Sequence, residues 1–142
     1  MRGVSFVTAV GIVAEVGDIR RFTHPRELMA LLGLVPSEHS SGPRVRRGGI
    51  TKTGNPHVRR LLAEAAWAYQ GGPRIGTRMA DRQEALPRAV CDIAWKAQLR
   101  LTGRFRRLVA RGKAKPKVAT AIARELTGFI WAIAQEVPAP PA

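Results

Sequence analysis

The sequence predicts a mainly α, compact helical domain with a helix-hairpin-helix-like start, interrupted by one long Gly/Arg-rich loop. Three observations carry that prediction. Between 117 and 136, Val118, Ile122, Leu126, Phe129, Ile130 and Ile133 recur every three or four residues, the period of a helix with one buried stripe. Pro25, Pro56 and Pro87 each head a helical run, where a missing amide costs nothing because the first N–H groups of a helix have no intrahelical partner. Residues 35–54, by contrast, carry three glycines between Gly42 and Gly49 and no helical period, which predicts a structured loop with room for a small β-hairpin through Val45 and Ile50.

At 142 residues with 45% apolar content the chain is the size of one ordinary domain and rich enough in apolar residues to bury a core. Its formal charge of +14 is more than solubility requires and points to a polyanionic partner. The charge is concentrated. Between Glu38 and Glu64 there is no carboxylate, while Arg44, Arg46, Arg47, Lys52, Arg59 and Arg60 fall in the gap. A second acid-free run between Asp92 and Glu125 holds Lys96, Arg100, Arg104, Arg106, Arg107, Arg111, Lys113, Lys115, Lys117 and Arg124. Two tracts predict an extended nucleic-acid track using Arg44, Arg46, Arg47, Lys52, Arg59 and Arg60 with Arg104, Arg106, Arg107, Arg111 and Lys113. The single Cys91 excludes an internal disulfide and suits a reducing cytoplasm. Its apolar neighbours predict a plain buried small residue.

The elements follow in order. Ser5 is an N-cap for a helix from Phe6 to Val16, and Gly17 is a left-handed stop. The opening run has one cation and then apolar residues, but it passes into Glu15 and Asp18 without a small-residue cleavage site. It is also short of the ~20 apolar residues a spanning helix needs, so a helix buried in the core is expected. Gly3 precedes it, and free amides at such a start can hold a phosphate. After an Arg20-Arg21-Phe22 connector, Pro25 opens a helix to Leu34. Asn55 caps a helix running to Tyr69, with Val58, Leu61, Leu62, Ala65 and Ala66 at core spacing. Gly71, Gly72, Pro73 and Gly76 predict a mobile surface segment over 71–84. Pro87 opens a helix to Leu101, Gly103 allows a bend, and a short basic helix covers Arg104–Arg111. That basic helix lacks the apolar moment for a membrane surface. Residues 137–142 read as a disordered Pro/Ala tail beyond one unit, 1–136.

The ten carboxylates are scattered without paired spacing, which disfavours a two-metal site, and His24, His39 and His57 read as loop or cap residues rather than ligands. No metal site is expected in this chain. Ser40 and Ser41, followed by Gly42, Arg44, Arg46 and Arg47, fit two descriptions. They suit a turn, and they suit a hydroxyl nucleophile that a DNA backbone can approach while guanidiniums neutralise charge on the phosphate. Tyr69 falls on an apolar helix face and Trp67, Trp95 and Trp131 lie within helical patterns, so core packing is expected of all four.

The ordered combination of Thr8-Ala9, Ala14-Glu15-Val16-Gly17-Asp18, Arg21-Phe22, Gly33-Leu34-Val35-Pro36, Ser41-Gly42, Gly49-Ile50-Thr51-Lys52-Thr53-Gly54-Asn55, Arg59-Arg60-Leu61-Leu62, Ala65-Ala66-Trp67, Ala123-Arg124-Glu125-Leu126 and Phe129-Ile130-Trp131-Ala132 resembles the C-terminal domain of an insertion-sequence transposase family. That family joins an N-terminal RuvC-like DEDD nuclease domain to a C-terminal serine-bearing domain, and some members are guided by a bridge RNA. The resemblance implies DNA transposition with Ser41 as the nucleophile of a phosphoserine intermediate, Ser40 standing beside it as the alternative. It further implies DNA and a structured guide RNA as partners, homo-oligomers in the full-length family, and magnesium held by the DEDD domain rather than here. On this reading the chain is a truncated copy or an isolated C-terminal domain, inactive alone. The competing reading is a helical nucleic-acid-binding module without chemistry.

Overall fold

The computed structural model describes residues 1–42, 44–138 and 141, with the side chains of 38–41 and 44–47 outside the description. The described elements are α1 (Phe6–Val16), a 3₁₀ turn at Ile19–Arg21, α2 (Pro25–Leu31), β1 (Pro36–Ser41), β2 (Arg44–Ile50), α3 (Pro56–Ala66) with a 3₁₀ extension at Trp67–Gln70, α4 (Thr77–Gln83), α5 (Arg88–Ala110) and α6 (Lys115–Glu136). The predicted class is therefore observed: a helical domain with one small hairpin.

Helix α6 is the axis of the fold, packing against α5, α3 and α2. Its buried residues Val118, Ala119, Ile122, Ala123 and Leu126 meet Leu28 and Leu32 of the α2 region, Val58 and Leu62 of α3, and Leu101 and Phe105 of α5 in one apolar cluster. The caps read from the sequence are present. Ser5 Oγ accepts the Thr8 amide, and Asn55 Oδ1 accepts the Val58 amide. His24 caps α2 reciprocally with Glu27, the cap role expected of it. Tyr69 is fully buried and its hydroxyl donates to the Arg2 carbonyl at 2.7 Å. Burial pushes its phenol well above the ordinary tyrosine value, so it serves the core. Trp131 donates to the Phe22 carbonyl at 2.8 Å, whereas Trp67, though tilted against Phe105, and Trp95 remain exposed rather than packed in the core.

Several expectations need correction. Helix α1 is not buried all round: Ile12 and Val16 are covered, whereas Phe6 and Val7 stay 76% and 77% exposed. The reason is that α1 packs mainly on α3, through the flank where Gly11 meets Leu61. Helix α2 stops at Leu31, since Gly33 turns into the left-handed region at φ +67°. The segment 71–84 contains α4, and the buried Gln98 holds its approach by accepting the Arg74 amide at 3.0 Å. Residues 88–110 form one helix rather than two. A single interior glycine costs about 1 kcal/mol relative to alanine, and burial of Leu101, Thr102 and Phe105 around Gly103 outweighs that. Cys91 is half-buried, with Sγ 3.7 Å from the Gln83 carbonyl. Of the tail, 139, 140 and 142 lie outside the described residues.

Candidate nucleic-acid interface

The hairpin is a short antiparallel pair whose register runs from Pro36 opposite Ile50 to Ser41 opposite Arg44. Gly42, directly after Ser41, takes φ +63°, the left-handed backbone that tight hairpin turns require. At ~3.3 Å per residue, the tip bearing Ser41 stands roughly 16 Å along the ribbon from Pro36. The side chains of Ser40, Ser41, Arg44, Arg46 and Arg47 lie outside the described residues. Their backbone positions put both serines with Arg44 and Arg46 on the outer half of the ribbon, and Arg47 at its middle, opposite Glu38.

The base of the ribbon is clamped to the body. The Thr51 amide donates to the Val35 carbonyl at 2.9 Å and the Lys52 amide to Gly33 at 3.0 Å. Contact is so close that a Cβ on Gly54, at φ +89°, would stand 1.8 Å from the Leu31 carbonyl oxygen. One on Gly33 would stand 2.1 Å from that of Thr53. Arg59 Nη1 donates to the Leu32 carbonyl at 3.1 Å, so this arginine fastens the clamp as well as adding charge. Lys52 adopts φ +55°, unusual for a non-glycine, and its side chain is exposed beside the clamp. Arg60 is likewise exposed on the first turn of α3.

The second tract acquires a direction from its helix. At 100° per residue, Lys96, Arg100, Arg104, Arg107 and Arg111 fall within an arc of about 80° on α5, whereas Arg106 points about 120° away from that stripe. Arg106 instead lies 3.4 Å from the Cβ position of Gly72, near Arg2, which donates to the Gly72 carbonyl. Within the stripe, Glu125 of α6 receives Arg100 Nε at 2.7 Å. Arg104 Nε lies 2.7 Å from its other oxygen, an ion pair whose N–H is not aimed well enough to form a hydrogen bond. Arg104, Lys113 and Lys117 also rim a 200 Å³ recess where α5 meets α6.

From there the cations continue along α6. Lys117 and Arg124, seven residues apart, share a face and are separated by ~10 Å of helix rise. Arg124 then joins His24 and Arg26 around a second recess, of 390 Å³, which reaches Val35 and Pro36 at the hairpin base. The structure thus connects Arg104, Arg107, Arg111 and Lys113 to the hairpin through Lys117 and Arg124. It does not bring Gly3 there. Gly3 takes φ +78° against the Ala65 carbonyl, and Ala65 is about 15 Å down α3 from Asn55. The sequence names Lys117 and Arg124 only as members of the second basic run and His24 only as a loop or cap residue, and does not mark Arg26, because their convergence depends on how α2, α6 and β1 pack.

Beside the clamp, Glu15 accepts Asn55 Nδ2 at 2.7 Å and lies 3.3 Å from His57 Nδ1. Those hydrogen bonds, Asn55 first and His57 second, hold the Glu15 carboxyl below its ordinary value. Among the described residues no three His, Cys, Asp or Glu converge as a metal site. No described helix is long and apolar enough to cross a membrane.

Residues 1–80 match the model of the Transposase IS116/IS110/IS902 family. A putative transposase, y4qE, of Sinorhizobium fredii is 56% identical over 136 residues, covering 96% of this chain and 35% of that protein. The transposase for insertion sequence element IS1111A of Coxiella burnetii is 47% identical over 66 residues, 46% of this chain and 18% of its own. That for IS1533 of Leptospira borgpetersenii is 30% identical over 118 residues, 79% of this chain and 33% of its own. The chain therefore spans about a third or less of the length of these relatives. With more than half of its residues inside the family match and its 56% identity to y4qE running over nearly its whole length, this chain belongs to the IS116/IS110/IS902 transposase family.

Proposed function

We propose that this chain is the DNA-gripping and strand-joining part of a transposase, acting in DNA transposition. The observation that carries the reading is the cationic face running from α5 over α6 to the hairpin, with Ser40 and Ser41 at the ribbon's outer end. Such a face binds a phosphate backbone through counterion release and needs no particular sequence. A serine at the tip of a clamped ribbon is held out from the body, where a DNA strand can reach it from outside.

In the reaction, Ser41 Oγ attacks a backbone phosphorus. A P–O bond to the neighbouring nucleotide breaks, the serine proton is lost to a base, and the departing oxygen leaves protonated as a hydroxyl. The strand remains joined to the protein as a phosphoserine ester, and reversal onto another hydroxyl completes transfer. Arg44, paired with Ser41, and Arg46, two pairs further down on the same face, are the cations whose register supports offsetting charge on the phosphate; Arg47, paired with Glu38, belongs to the other face and is left to grip the flanking backbone. On this reading any magnesium is held by the remainder of a longer transposase. A structured guide RNA is a second polyanion for the same face, and the full-length protein works as a homo-oligomer.

The test supplies the remaining length of the y4qE-type relative in trans, together with insertion-sequence-end DNA, and looks for an adduct resistant to boiling in detergent. Wild type is expected to form it, Ser41→Ala to abolish it, and Ser40→Ala to retain it. An adduct undiminished in Ser41→Ala overturns the nucleophile assignment. DNA binding with no adduct in any variant favours the non-catalytic module.

A further inference from the structure

The 390 Å³ recess at the hairpin base is neither an ordinary cation patch nor an apolar hole. Pro25 and Met29 of α2, with Val35 and Pro36 leading into β1, supply apolar surface, while His24, Arg26 and Arg124 supply polar groups. None of the described residues lining it is acidic. Its volume falls within the range of small-molecule sites. His24 Nδ1 accepts the Arg26 amide at 3.1 Å. In the neutral ring that bond consigns the proton to Nε2, leaving a donor as the group His24 has to offer. The nearby Glu27 carboxylate is engaged by the Thr23 amide and hydroxyl, so it does not compete for the two arginines.

That pairing of apolar surface with cations selects a ligand. A bare phosphate would engage the arginines and leave the proline and methionine surfaces uncovered. An intact duplex presents phosphates on its outside and keeps its bases stacked inside, so it would do the same. A nucleotide out of the stack carries both parts: a flat base to lie on apolar side chains and a phosphate for the guanidiniums. We propose that this recess receives one unpaired nucleotide of a DNA strand whose neighbouring phosphates run along the cationic face. The idea rests on the DNA-binding reading above and adds to it a place where base pairing must be open. The base of the ribbon lies roughly 16 Å along the strands from the Ser41 tip, so the captured nucleotide is several positions away from the attacked phosphate.

Fluorescence anisotropy of the full chain on labelled DNA tests this, using a single strand, the same strand with abasic spacers, and a blunt duplex. Wild type is expected to bind the single strand at least tenfold more tightly than the abasic one. Val35→Trp, which fills the recess, is expected to lose that advantage, binding the normal and abasic strands alike. Should Val35→Trp misfold by circular dichroism, ultraviolet crosslinking of wild type to 5-iododeoxyuridine in the single strand decides instead: crosslinks within 24–36 or at Arg124 support the site. Equal affinity for normal and abasic strands, crosslinks elsewhere only, or tighter binding of the matching RNA overturns it. In those cases duplex binding by wild type leaves the DNA-binding reading standing. Absence of binding to every DNA overturns both.

Discussion

Asn55 links two pieces of local chemistry. Its Oδ1 caps α3 and its Nδ2 holds Glu15, next to the backbone clamp that fixes the hairpin. Losing an N-cap costs about 1 kcal/mol, so Asn55→Ala is expected to lower the free energy of unfolding by at least that much at pH 7. The pH dependence follows from the direction of the Glu15 shift. Its folded value lies below the ordinary 4.5. The stabilisation is therefore fully present above about that pH and is lost as pH falls through the lowered folded value. Urea unfolding should show a smaller Asn55→Ala penalty at pH 3 than at pH 7, and equal penalties would show that the Glu15 contact contributes nothing. Gly54 is the second informative residue. Alanine there would have to hold a left-handed φ and place Cβ 1.8 Å from the Leu31 oxygen. Gly54→Ala should cost more than about 2 kcal/mol by the same measurement, and a cost below about 0.5 kcal/mol, the level of an ordinary surface substitution, would mean the clamp is loose.

At the scale of elements, the helix starts at Ser5, Pro25 and Asn55 were legible from a capping side chain or a proline, whereas the reciprocal cap of His24 with Glu27 was not read, and α6 begins at Lys115 inside what the sequence presents as a break. Strand β1 was harder to see. Pro36–Ser41 has no alternating apolar pattern to mark it, and the backbone hydrogen bonds that hold the base of the ribbon to Val35 and Gly33 leave no side-chain signal. The exposed face of α1 was hidden for the opposite reason: a helix apolar on every side does not disclose which side its own chain covers. Predicting a bend at Gly103 also concealed part of the site. Once α5 is continuous, Arg100, Arg104, Arg107 and Arg111 stand at i, i+4, i+7 and i+11, a spacing readable in the sequence. The groups around the second recess, from α2, β1 and α6, carry no such signal because packing alone assembles them. The stripe makes its own prediction. Arg107→Ala with Arg111→Ala should lower the slope of log affinity against log salt by about 2 on duplex DNA, and Arg106→Ala should leave it unchanged. If Arg106→Ala lowers the slope as much per residue, charge rather than its placement on α5 governs binding.

Over the whole molecule, a charge of +14 is spread unevenly. Glu125 is set among the cations of α5 and α6, tying Arg100 and Arg104 to the body. The second run reaches the base of the hairpin because α6 packs on both α5 and α2, carrying Lys117 to one recess and Arg124 to the other. That this assembled face grips DNA is the central claim. It is tested most directly by measuring duplex affinity of the wild-type chain across a salt series, beside the triple variant Lys117→Ala, Arg124→Ala, Arg26→Ala. Wild type is predicted to show a steep linear fall of log affinity with log salt, and the triple variant a slope shallower by about 2 to 3, at roughly 0.9 for each phosphate no longer neutralised. A flat wild-type plot, or a triple variant with the wild-type slope, would contradict it.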